Sequence, residues 1–225
     1  MKKLFITILV LTSSSVFAQS NEEKRLKAAG DVLHEIMEVR DKAIPQELLD
    51  KSECAVIIPS LKKGAFILGG KYGKGFFTCR NVSGDGWGSP ASIIVEGGSV
   101  GFQIGGSEND VILLIMNKRG ANRLLNNQFK LGGEASVAAG PVGRTSSAQT
   151  DVLLTAEILS YSRSRGVFAG ISLEGSTLRQ DLDGNRDLYG KTMTNKEIIE
   201  GNPKPPAAAS VLLADLNKFS PRKSN

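Results

Sequence analysis

Gly97-Gly-Ser99-Val-Gly101 fits the Gly-x-Ser-x-Gly spacing of a serine-hydrolase elbow. That chemistry needs a helix directly after the serine and a later histidine to take its proton. Here the segment after Ser99 reads as another glycine-rich strand, and the only histidine, His34, lies upstream. A tight strand turn is the better reading, with a serine hydrolase at Ser99 as the weakest alternative. Asp181-Leu-Asp183-Gly-Asn185-Arg-Asp187 hints at a calcium loop. Its sixth and twelfth places hold Arg186 and Thr192, where an EF-hand needs glycine and a carboxylate. A polar turn is expected there instead. Gly69 to Gly75 lacks the Ser or Thr that follows a phosphate-loop lysine, since Gly75 follows Lys74. The sequence therefore implies no catalytic residue, no metal and no cofactor.

Two cysteines remain, Cys54 and Cys79, on separate expected strands that flank one hairpin. An even count in an oxidising compartment favours a disulfide, with two buried thiols as the alternative. Neighbouring strands would bring their Cα atoms within the ~4.4–6.8 Å that a bridge spans.

Charge offers the other chemistry. Between Ser60 and Arg80 stand Lys62, Lys63, Lys71, Lys74 and Arg80, without one acidic residue. Lys71, Tyr72 and Lys74, near Phe76 and Phe77, suit an anionic surface, because basic groups attract phosphate and aromatic rings sit at the headgroup boundary. In a strand Phe76 and Phe77 point to opposite faces, so at least one belongs to the core. Lys24, Arg25 and Lys27, at the start of the first helix, compete for the same role.

The elements that must position these residues read as follows. Asn21 to Lys42 has apolar residues at helical spacing, Leu26, Ala29, Leu33, Ile36 and Met37, and Pro45 stops it. Gln46 to Glu53 adds a helical turn. Cys54 to Ile58 is a short apolar strand ended by Pro59. Gly64 to Gly70 and Gly75 to Arg80 form two hairpin arms with Lys71 to Lys74 at the tip. Strands are expected over Ala91 to Glu96, Val100 to Ile104, Asp110 to Asn117 and Phe129 to Ala139, with a short helix over Lys118 to Asn126. Ala156 to Tyr161 and Val167 to Leu173 form a further hairpin around Ser162 to Gly166. Past Gly175 the chain turns helical: Thr194 and Glu197 make a capping box, Gly201 closes that helix, and a last helix spans Ala207 to Lys218. Short turns between strands favour an α+β fold, a mostly antiparallel sheet or barrel-like core with helices packed outside.

Ala139-Gly-Pro-Val-Gly-Arg144, Tyr161-Ser-Arg-Ser-Arg-Gly166 and Val167-Phe-Ala-Gly-Ile-Ser-Leu-Glu-Gly175 resemble the SYLF domain, a lipid-binding module. In order around them stand Ile58 to Gly64, Gly69 to Gly75, Trp87-Gly-Ser-Pro90, Gly97 to Gly105, Leu131-Gly-Gly, Asn185 to Gly190 and Gly201-Asn-Pro. The resemblance covers roughly residues 25 to 217. Gly88 and Ser89 depart from the usual Trp-Ser-Ala-Pro word, a change expected to loosen that turn. In eukaryotic relatives a basic amphipathic helix at the start is associated with membrane binding. This helix departs from that pattern: it holds five basic residues against six acidic ones. Arg144, in the Gly-Pro-x-Gly-Arg word, is expected to bond carbonyls at a sharp turn first and phosphate second.

Lys2, Lys3, the apolar run Leu4 to Leu11 and Val16-Phe17-Ala18 have the pattern of a cleavable signal peptide over residues 1–18. Residues 19–225 are expected to form a single SYLF-like domain in a bacterial periplasm, possible partner surfaces being those of the envelope. Losing Lys2 and Lys3 lowers the formal charge of +5 to +3, too little to argue for nucleic acid. The expected function is non-enzymatic binding of anionic phospholipid, phosphatidylglycerol or cardiolipin, through Lys62, Lys63, Lys71, Tyr72, Lys74, Lys24, Arg25, Lys27 and Arg144. A protein–protein scaffold without lipid is the alternative. Export argues against actin, and the oligomeric state is not legible.

Overall fold

The computed structural model describes residues 19–39, 44–66, 68–81, 86–100, 105–142, 155–164, 167–170 and 173–221. The expected leader and Arg144 lie outside them. Helix α1 (Asn21–Glu38) opens on a capping box that joins Ser20 to Glu23, and α2 (Gln46–Lys51) follows Pro45. Then come β1 (Cys54–Phe66), β2 (Leu68–Cys79), β3 (Ala91–Val100) and β4 (Gly105–Ile115), with α3 (Lys118–Leu124) behind them. Short strands β5 (Gln128–Lys130) and β6 (Val137–Ala139) stand where one longer strand was expected, and β7 (Ile158–Ser164) pairs with β8 (Val167–Gly170) as the expected hairpin. After Gly175 a strand missed in the sequence, β9 (Thr177–Gln180), precedes α4 (Leu182–Tyr189), α5 (Asn195–Gly201), a 3-10 turn (Ala207–Ala209) and α6 (Ser210–Phe219).

The nine strands of the described residues form one sheet in the order β5-β9-β3-β2-β1-β4-β7-β6, with β8 also on β7. Every pairing is antiparallel except β6 with β7. The protein is α+β, a curled sheet with helices outside it. Alternation along each strand builds two cores. Ala55, Ile57, Phe76, Ile112, Leu114, Leu159 and Tyr161 meet Leu26, Leu33, Leu212 and Leu216 of the packed pair α1 and α6. Val56, Phe77, Ile93, Val111, Leu113 and Ile158 fill the opposite face with Phe129, Leu173 and Leu178. Phe129 and Ile158 come from opposite ends of the strand order yet share this cluster, as curling of the sheet requires.

Pro59 does not end β1, contrary to expectation. Between Ile58 and Leu61 the strand carries one residue more than its partners β2 and β4, a bulge in both ladders. Ser60 takes φ 64° there, and its N–H donates to Asp110 Oδ1 at 3.1 Å. The bulge accommodates the missing proline N–H and lets β1 run on to Phe66.

Candidate functional site

The continuation of β1 relocates the hairpin tip. β2 runs unbroken from Leu68 to Cys79, so Lys71 to Lys74 lie within a strand, and the turn falls between Phe66 and Leu68. Glycine misled the sequence reading. A Cβ on Gly73 would come within 2.9 Å of Ile58 and Leu61, so this glycine serves close strand packing instead of a turn.

The same register sorts the lysines. Lys62 stands opposite Tyr72, and Lys63 directly opposite Lys71. Like charges in such positions repel. Burial, and then the Lys63 charge, hold the Lys71 ammonium below its ordinary range. Among the described residues its Nζ donates to the Glu174 carbonyl, at 3.5 Å. Among the described residues neither Lys62, Lys63 nor Lys71 has a carboxylate in ion-pair contact, and Tyr72 is 48% exposed.

Lys74 is different. It lies 2.6 Å from Asp181 Oδ2 and 3.5 Å from Glu22 Oε1, tying β2 to the start of α4 and to α1. Burial lowers its pKa, but the Asp181 hydrogen bond and the two carboxylate charges raise it further, for a net upward shift. Phe76 and Phe77 are both fully buried, one in each core, and neither is free to meet a surface.

Lys24 and Lys27 project from α1 into solvent, while Arg25 pairs with Glu22 in the turn before it. The two competing segments meet. Arg25, Lys62, Tyr72 and Lys74 line one depression of about 440 Å³ with Ser60 and Glu108. Its paired cations are structural, and Lys62 stands opposite Glu108 on β4 without reaching it in an ion pair.

The alternatives in chemistry find no geometry. Ser99 sits in the β3 ladder opposite Gly69, not on a strand-to-helix elbow. His34 pairs with Asp215 of α6 at 3.1 Å. Asp181 caps α4, so the segment expected as a polar turn is helical. Among the described residues no three acidic, histidine or cysteine side chains gather as for a metal. No described helix is long and apolar enough to cross a membrane. Cys54 and Cys79 occupy one rung of β1 and β2, with sulfurs 2.01 Å apart and Cα atoms at 3.9 Å. That Cα separation is shorter than the expected span and shorter than the ~4.5 Å of a close antiparallel pair.

Two structural residues were missed in the sequence. Arg80, counted there only among the basic residues, is 9% exposed and donates to the carbonyls of Leu49, Ser52 and Ser220. Asn185 accepts from the Ser92 N–H at 2.7 Å and donates to Met193 and Asn195, fastening α4 to β3. The tryptophan word is not loosened: the Ser89 N–H donates to Asn202 Oδ1 at 2.8 Å, and its hydroxyl bonds the Pro203 carbonyl. Gly140 packs flat on the ring of buried Tyr161, and Gly170 against the Gly140 backbone, so the words that carried the resemblance meet in space.

Residues 96–219 match the family described as Ysc84, Las17-binding protein actin regulator. The chain belongs to this Ysc84, or SYLF, family. It is 31% identical to SH3 domain-containing YSC84-like protein 1 of Homo sapiens over 92% of this chain and 61% of that protein. LAS seventeen-binding protein 3 of Saccharomyces cerevisiae is 34% identical over 82% of this chain and 41% of its own length. Protein YSC84 of the same yeast is 35% identical, over 77% and 37%. The chain thus spans about half the length of the curated relatives it matches.

Proposed function

We propose that this Ysc84-family chain is a non-enzymatic module that binds anionic phospholipid at the end of the β1–β2 hairpin. The observation that carries this reading is Lys63 directly opposite Lys71, with Lys62 and half-exposed Tyr72 on the next rung; among the described residues none of the three lysines is in an ion pair, although Glu108 of β4 stands opposite Lys62. A folded protein gains nothing from a half-buried pair of like charges, whereas a phosphate between them offsets both the repulsion and the lost hydration. Basic groups near an anionic surface contribute about 1 kcal/mol each, so three supply roughly a hundredfold in partition. Lys74 and Arg25 support the site's shape, and Lys24 and Lys27 add charge at its margin. With residues 1–18 as an export signal, the surface is that of the periplasm, and phosphatidylglycerol or cardiolipin the lipid.

A second reading is a protein scaffold. The family description and one relative's name specify Las17 binding, and the same lysines would suit an acidic protein surface. Sedimentation with phosphatidylcholine vesicles of rising phosphatidylglycerol content separates the two. Lipid binding requires a partition that grows with anionic content and falls with salt. Failure to sediment at any content favours the protein partner.

A further inference from the structure

Beyond the lysines, the β1–β2 ladder continues through Gly64 with Gly70 and Ala65 with Gly69 to Phe66 with Leu68. Two more strands end beside it. Val100 of β3 stands opposite Leu68, and Gly105 of β4 opposite Ala65. Four neighbouring strands therefore finish at one end of the sheet, in the order β3-β2-β1-β4. From Gly64 to Gly70 the sequence carries no charge, and neither do Gly97 to Val100 or Gly105 and Gly106. The first charges met on β1 and β2 on moving inward are Lys63 and Lys71, with Lys62 one rung further.

We infer that this sheet end enters the headgroup–acyl boundary of an anionic bilayer. Phe66 and Leu68 lie on the apolar side, and Lys62, Lys63 and Lys71 are level with the phosphates. The inference rests on the lipid reading above and adds penetration to it. Phe66 is three positions from Lys63, and Leu68 three from Lys71, about 10 Å of strand. Interfacial segments sink by roughly that depth, 5–10 Å. Tyr72, beside Lys62, falls at the level where aromatic rings collect. Lipid-exposed strand ends leave backbone groups unpaired in hydrocarbon, so penetration stops at the boundary and does not span it. The occupant is a bilayer surface and not a soluble anion, because a free phosphate would use the lysines and leave the uncharged end without a role.

The test uses the full chain with its native cysteines bridged. Phe66→Cys carries an environment-sensitive fluorophore, and Glu200→Cys, on α5, carries the same probe as control. On phosphatidylcholine–phosphatidylglycerol vesicles, the probe at 66 should shift to the blue and be quenched by lipids spin-labelled in the acyl chain. The probe at 200 should stay in water. Phe66→Ser with Leu68→Ser should weaken vesicle affinity by about tenfold or more while retaining the wild-type melting transition. If wild-type protein sediments with the vesicles but the probe at 66 remains in water, penetration is wrong and headgroup binding stands. If wild-type protein does not sediment, both fall. Should the double serine variant fail to fold, the labelled protein alone decides.

Discussion

The guanidinium of Arg80 lies 4.0 Å over the Trp87 ring, and both side chains donate to one carbonyl, that of Ser220. Arg80 Nη1 reaches it at 2.6 Å and Trp87 Nε1 at 3.2 Å, so the end of α6 is pinned to the end of β2. Arg80 also satisfies the carbonyls of Leu49 and Ser52 at the end of α2. Replacing it with alanine strands several buried acceptors and should cost roughly 3 kcal/mol, read by urea unfolding. Lysine should recover little of this, because an ammonium cannot reach the dispersed carbonyls as a planar fork does. Full stability in Arg80→Ala would show that α6 is held by its apolar face alone.

Cys54 and Cys79 share a rung, and a bridge between them closes a loop of 25 residues. Such a loop stabilises by about 3 kcal/mol. Protein produced under oxidising conditions should therefore show no free thiol when denatured without reductant, and reduction should lower its unfolding midpoint. Two reactive thiols in that material would mean that the sulfurs stand in contact without being joined.

Gly140 gives the tightest of the family contacts. A side chain there must displace the Tyr161 ring, which is fully buried. Gly140→Ala should destabilise by roughly 1–3 kcal/mol through overpacking. Tyr161→Phe with Gly140→Ala should recover only a small part, because the ring itself collides. Thermal melts of the two variants measure the difference.

Alkaline stability follows from the tyrosines. Burial pushes the Tyr161 phenol well above its ordinary range, and does the same to Tyr189. A folded-state pKa raised above the unfolded value gives stability that is complete below the unfolded pKa and declines as pH rises through the folded one. Wild-type stability should thus fall from about pH 10 upward. Tyr161→Phe should flatten that fall by close to one proton in the linked slope. An unchanged slope would place the ionisation elsewhere.

Local signals in the sequence were the reliable ones. Thr194 and Glu197 form both bonds of their capping box, although Asn202 at φ 40° closes the helix in place of Gly201. The β7–β8 hairpin follows from two apolar runs that are close in the chain. What failed depended on distant partners. Pro59 reads as a stop unless a bulge is supplied, and Gly73 reads as a turn unless Ile58 and Leu61 are known to press on it. Lys74 looked available because its partners, Glu22 and Asp181, lie far away in sequence. Arg80 was counted only as one of a run of basic residues, because its acceptors on α2 and at Ser220 are likewise distant in sequence. At the site, the sequence revealed the basic residues but not which of them already had partners.

Charge reversal at the hairpin end tests the proposed membrane contact most directly. Lys62→Glu, Lys63→Glu and Lys71→Glu combined should be compared with Lys24→Glu and Lys27→Glu combined, each checked by its melting transition. Binding to phosphatidylglycerol-containing vesicles is then titrated by sedimentation at low salt. Loss of about 1 kcal/mol per lysine predicts that the hairpin variant binds at least a hundredfold more weakly, and the helix variant far less so. Wild-type affinity in a folded hairpin variant would contradict the account.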